Sequence, residues 1–264
     1  MGRTIKYGEI YDSDNFGQFI PIEYIGGPED LVKIKFLNTG SERIVSSNAL
    51  IHGKVKDLYM PIVAGVGYLG SFNGKVSDKD KIIFYKPWND MLNRCYNIAD
   101  KDYPAYGGSG VRVDQRWFDF GNFFEDAKLL YGYENKLKYP SIYCLDKDYK
   151  QMNIPKNQKI YSLNTCIWIS KYDNIIIMTR ENSKSKYFGV TKTPRGFLAR
   201  YSRHIIGYFS NEIAAANAYN FYYMYNFKND PFRSLFLLND VPYMSPTEFI
   251  KYNLNAKEVI KVVK

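Results

Sequence analysis

Apolar and polar positions alternate with a period of two through much of the first fifty residues. Residues 8–11, 18–24, 31–37 and 42–46 read as strands. Turn chemistry at Gly26-Gly27-Pro28 and Asn38-Thr39-Gly40 separates them. VKIKFLNTG followed by ERIVSSNAL predicts a hairpin feeding a short helical or turn segment. Residues 5–55 are therefore expected to form a small barrel-like or curled sheet. Lys54 and Lys56 lead into GVGYLGSFNGK, either a linker or a loop laid on the next domain. From Trp88 the period becomes helical, with Met91, Leu92 and Cys95 on one side. YGGSGV (106–111) lacks the phosphate-loop pattern and predicts a turn that lets the backbone pass close to a neighbour. An aromatic helix is expected over 118–130.

Residues 187–192, 197–202 and 205–209 give three further strand signals, the first two joined by Thr193-Pro194-Arg195-Gly196. Ser210 supplies an N-cap oxygen and Glu212 a first-turn carboxylate to the helix that follows. Its Ala214, Ala215 and Ala218 let a helix lie close on a thin sheet. Near the end, Ser245 caps and Pro246 opens a helical pattern through Phe249, Ile250, Leu254 and Val259. That pattern suits one or two helices packing on the body, or a partner-binding tail. The class is α+β.

Charge narrows the partner. The chain has 264 residues and a formal net charge of +9, which favours a polyanion and says nothing about fold. Its 25 tyrosines mostly suit half-buried sheets. Arg180, Lys184, Lys186, Lys192, Arg195, Arg200 and Arg203 cluster before and within the last three strands. Cations on a sheet suit phosphates, and a major groove admits a two-stranded ribbon. Strand alternation sends Phe197, Ala199 and Tyr201 to the helix. It leaves Thr191, Lys192, Arg195 and Arg200 to the groove, with Arg203 on a phosphate. Double-stranded DNA is the expected partner, against the plainer reading of a solvated basic surface.

Other chemistry is thin. Cys95, Cys144 and Cys166 are widely spaced and read as reduced intracellular thiols. His52 and His204 are too few for a zinc site or a Ser-His-Asp triad. The amino-terminal MGRTIKYGEI has no apolar segment of the signal-peptide type, and the longest apolar run, 59–69, is broken by Pro61, Gly65 and Gly67. A cytoplasmic protein without a membrane segment is expected.

YFGV, a basic turn with glycine, FLARY, GYF and the helix EIAAANAY together resemble the Apetala-two/ethylene-response-factor DNA-binding domain over residues 183 to 227. Tyr187, Gly189, Val190, Gly196, Ala199, Gly207, Phe209, Ala214, Ala215 and Tyr219 carry the register. Phe188 and Thr191 stand where plant members usually have arginines, so plant base readout does not transfer. A second series, WxxMLxRCY, YGGxGV, WxxF, LDKD, YSxxxCxW and Asn174, resembles phage HNH-type endonucleases over 85–182. In phages and mobile elements the two domain types are often fused. The resemblance implies a small β domain (1–56), a connector (57–80), an HNH-like ββα module (81–182), an Apetala-two-like domain (183–228) and a helical tail (229–264).

It also implies DNA hydrolysis with a Mg2+-type ion. Lys147 stands where the general-base histidine would be, Thr165 near the central asparagine, and Asn174 at the final one. Lysine is a poor base at neutral pH and repels a cation. Two readings follow. Asp146 and Asp148 hold Mg2+ while Lys147 stabilises the phosphorane, or the module is a relic serving DNA binding or assembly. A third class is an inhibitor binding a host protein through the amino-terminal β domain.

Overall fold

In the computed structural model, residues 5–70, 78–181, 185–227, 229–230, 233 and 237–254 are described. The chain divides into two compact units: Met1–Lys128 with Lys156–Ile160, and Leu129–Pro155 with Tyr161–Lys264. The segment expected as one HNH-like module, 81–182, is thus shared between them. The fold is α+β, built from several small sheets.

In the first unit, β1 (Tyr11–Ser13), β2 (Gly17–Gly26), β3 (Leu31–Phe36) and β4 (Glu42–Ser46) form an antiparallel meander in the order β1-β2-β3-β4. Phe19, Val32, Ile34 and Phe36 line its buried face. The barrel expectation is corrected: β1 and β4 remain edges. Four strands, one of three residues, are far short of the number that closes around packed side chains. The apolar face is covered instead by Leu50 of α1 (Ser47–Ile51) and by Val55. Ser46 caps α1, its Oγ accepting from the Ala49 N–H at 3.2 Å.

Of the two readings of the glycine-rich connector, the loop prevails as far as Gly70; residues 71–77 lie outside the described residues. A Cβ on Gly67 would collide with Leu92 and Trp88, so only glycine lets this loop lie on α2 (Asp78–Tyr96). Phe84, Trp88, Met91, Leu92 and Cys95 form the helix's buried stripe, as the period predicts. Trp88 Nε1 donates to the Trp117 carbonyl at 2.7 Å. The aromatic helix is shorter than expected: α3 (Phe120–Ala127) is preceded by a 3-10 turn, Gln115–Phe118, and capped by Asp119. YGGSGV behaves as the close-approach turn. A Cβ on Gly107 would strike the Cys95 carbonyl, and one on Gly110 would strike Asn157. Short strands β5 (Arg112–Val113) and β7 (Ile160–Tyr161) complete the small elements flanking this region.

The second unit contains α4 (Tyr133–Lys138) and the antiparallel pair β6 (Tyr143–Asp146) and β8 (Ile167–Ser170), with α5 (Lys171–Glu181) directly following β8. Then come β9 (Val190–Thr193), β10 (Gly196–Tyr201), β11 (His204–Phe209) and α6 (Glu212–Phe227), the sheet running in the order β11-β10-β9. The first of these strands begins three residues later than expected. Phe188 is buried, and its backbone is gripped at both ends: N–H to Asn239 Oδ1 at 2.6 Å, and carbonyl from Asn239 Nδ2 at 3.1 Å. The α6 cap also moves by one residue. Asn211 Oδ1 accepts from Ile213 and Ala214 N–H, while the Ser210 N–H goes to the Tyr252 carbonyl.

Ala214, Ala215 and Ala218 are buried and bring α6 close to the sheet. The far side of α6 is covered too. Asn217 Nδ2 donates to Pro242 O and Asn220 Nδ2 to Asn239 O, while Asn217 and Asn220 accept from Met244 and Asn239 N–H. Residues 237–254 therefore pack on the body rather than forming a free tail. Ser245 and Glu248 form the capping box of α7 (Pro246–Phe249), and Asn253 bridges to Phe209. Val259 lies outside the described residues. Among the described residues no helix is long and apolar enough to cross a membrane.

Candidate functional site

The β6–β8 pair is followed directly by α5, and the residues expected at a nuclease site fall on these elements and the loops between them. Asp146 ends β6 opposite Ile167 and is almost fully buried. Its Oδ2 accepts from the Tyr149 N–H at 2.8 Å, and burial pushes its carboxyl up to about 6. Lys147 is also buried. Its Nζ sits 2.8 and 2.9 Å from the two Asp148 oxygens and 5.2 Å from the Tyr161 ring centroid. Gln151 Nε2 donates to the Lys147 carbonyl at 2.8 Å. Asn174 lies on α5 and contacts β6 at Cys144, Nδ2 to Sγ 3.6 Å, with Oδ1 buried and lacking a hydrogen bond. Thr165 turns into its own loop, bonding Ser162.

This donor set does not fit Mg2+, which demands near-octahedral oxygen coordination. Both Asp148 oxygens are on an ammonium. Asp146 is engaged with a backbone amide, and burial penalises its charged form. Among the described residues no three His, Cys, Asp or Glu side chains converge. Lys147 is likewise committed to Asp148, so a phosphoryl group would have to displace a buried partner to reach it.

The β9–β11 sheet is arranged differently. Val190, Ala199 and Phe209 face α6 as buried residues, and Tyr201 makes tilted and edge-on ring contacts with Tyr219, Tyr222, Tyr223 and Phe227. The opposite face is set by pairing: Leu198 lies between Thr191 and Tyr208, and Arg200 lies opposite Ile205. Arg200 is exposed, as are Arg195 in one hairpin turn and Arg203 in the other, at opposite ends of β10. No family model, curated protein or solved structure matches this chain. The chemistry of the site therefore rests on its own geometry.

The sequence-predicted residues do not all share the face. Lys192 pairs opposite Phe197, so it has the parity of Val190 and Ala199 and not that of Arg200. It is exposed only because β9 is an edge. Lys186 is exposed, its Nζ 5.1 Å from the Tyr187 ring centroid, before the sheet begins. The side chains of Arg180 and Lys184 lie outside the described residues. His204 stacks on Tyr222 of α6, centroids 4.9 Å apart.

Buried Lys136 and half-buried Arg233 escaped the sequence reading. Lys136 on α4 donates to Pro140 O at 2.7 Å and Tyr143 O at 2.9 Å, fastening the start of β6, and burial pulls its ammonium down to about 8. Arg233 approaches Asp173 at 3.5 Å, with its guanidinium over Tyr172, Tyr201 and Phe227. Asp173 also accepts from Tyr223 Oη at 3.2 Å. Arg233 thereby ties α5, β10 and α6 together. Ile167, Ile169, Ile176 and Ile177 share one core with Phe188, Val190, Ala199 and Tyr219. The hairpin–helix and the three-stranded sheet are a single packed body.

Proposed function

We propose that this chain binds double-stranded DNA through the outer face of β9–β11, with the hairpin–helix as its mount. The observation that carries the reading is the placement of three exposed arginines along one strand: Arg195 and Arg203 at the two ends of β10, and Arg200 on its open face. A six-residue strand is about 20 Å long, against a major groove about 12 Å wide. The end arginines then meet phosphates while Arg200 reaches base edges. The +9 net charge adds a nonspecific attraction. On this reading the sheet acts as an Apetala-two-like domain and its mount as an HNH-like scaffold of phage or mobile-element type.

Substituting Arg200→Ala should weaken binding to the preferred duplex by about 1–3 kcal/mol and leave competitor DNA nearly unaffected. Arg203→Ala should weaken both alike and reduce the salt slope by about one unit. Fluorescence anisotropy across a salt series measures both. Equal affinity of the wild type for all duplexes would remove base reading. The pairing of Lys147 with Asp148 favours a binder over a nuclease. A nicking assay with Mg2+ or Mn2+ tests this: cleavage by the wild type that Asp146→Ala abolishes would restore the enzyme.

A further inference from the structure

Resting on that DNA-binding reading, we infer that the open sheet face recognises guanine beside thymine, with Ile205 and Leu198 as thymine-methyl contacts flanking Arg200. The face is not a basic plane. Its centre holds one cation, Arg200, among Thr191, Leu198, Ile205 and Tyr208. A surface serving phosphates alone would carry cations across its middle; here Arg195 and Arg203 occupy only the ends of the strand. A major groove offers two features matching such a centre: the N7 and O6 acceptors of guanine, which take a bidentate arginine, and the apolar C5-methyl of thymine.

A β-bulge creates the juxtaposition. Ala199 pairs with Gly207, but the next residue, Arg200, pairs with Ile205. Ile206 is the extra residue, and it is buried to 3% exposure. In an unbroken ladder Arg200 would face Ile206, and Ile205 would fall on the α6 side. The shift instead leaves Ile205, 49% exposed, directly across from Arg200. An exposed isoleucine beside an arginine gains nothing for the fold, but it places an apolar surface about 5 Å from a guanine reader. That spacing is close to one base step of about 3.4 Å, so the two side chains address the same or adjacent pairs. Leu198, two residues along β10, lies about 7 Å from Arg200, roughly two steps away.

The experiment uses the full chain and a pool of duplexes with a randomised core, from which bound sequences are selected. The expected consensus has guanine next to thymine. Each thymine in the selected duplex is then replaced by deoxyuridine, which removes only the methyl. Wild-type affinity should fall about fourfold per contacted methyl, the worth of one buried CH2. Ile205→Ala should lose the thymine preference only at the position beside Arg200, keep it at the position of Leu198, and retain the wild-type salt slope and melting temperature. If wild type binds both duplexes equally but Arg200→Ala still loses site preference, DNA reading stands and the methyl contact is refuted. If wild type selects no sequence at all, both fall together.

Discussion

Replacing Gly189 by alanine should cost roughly 2–5 kcal/mol of folding free energy, and duplex binding should be lost with it. Two effects add at this position. Gly189 has φ +65°, in the left-handed region, where a side chain costs about 1–2 kcal/mol. The added Cβ would also meet the Tyr219 ring and the Arg200 carbonyl oxygen well inside contact distance. Neither can retreat easily. Tyr219 is fully buried in the shared core, and Arg200 is held by its own N–H to the Gly189 carbonyl at 2.8 Å. Overpacking of this kind typically adds about 1–3 kcal/mol. Gly27→Ala is the control: φ is +84° there, but nothing lies within 4 Å of the new Cβ. It should show the conformational cost alone. Urea unfolding of the two variants gives the comparison, and similar midpoints would mean that the close approach of Gly189 to Tyr219 is wrong. The loss of binding follows because the relief of the clash must move β10, and with it Arg200.

Much of the fold is legible in the sequence because its signals are local. The β3–β4 hairpin, the alanines of α6 and the Ser245 capping box follow from alternation, residue size and cap chemistry within a few positions. What escaped depends on distant partners. Thr191 and Lys192 are neighbours, so alternation allows only one of them the face of Arg200, and the β9–β10 register gives that place to Thr191. The bulge at Ile206 breaks parity with no sequence mark. Ser210 and Asn211 are both good caps; Tyr252, forty-two residues on, takes the Ser210 N–H and decides between them. Barrel closure is a property of strand number and long-range pairing, which alternation does not report. In the candidate site, LDKD reads equally as a variant cation site or as a relic, and the bonding of Lys147 to its own neighbour Asp148 weighs against the first.

That buried run makes the second large effect a pH effect. Asp146 carries a carboxyl raised from 3.8 to about 6, chiefly because burial penalises its charge. Between those values the folded chain keeps a proton that the unfolded chain has released, so the unfolded state binds fewer protons and stability falls as pH rises. Above about pH 6 the loss is complete, and its size is about 3 kcal/mol at 1.36 kcal/mol per pH unit. Asp146→Asn keeps the shape and an oxygen to accept the Tyr149 N–H, but it carries no charge to desolvate. The variant should therefore gain on the wild type by up to about 3 kcal/mol between about pH 4 and pH 7. Other titrating groups cancel in that difference. A Mg2+ ion held by Asp146 demands the reverse. It would bring the carboxyl down, remove the penalty at neutral pH, and make Asp146→Asn destabilising in millimolar Mg2+. Chemical denaturation of both proteins across this pH range, with and without Mg2+, separates the outcomes. A difference that stays flat with pH would show that Asp146 is solvated rather than buried. A melting temperature raised by Mg2+ in wild type alone would show that the LDKD run is a cation site after all.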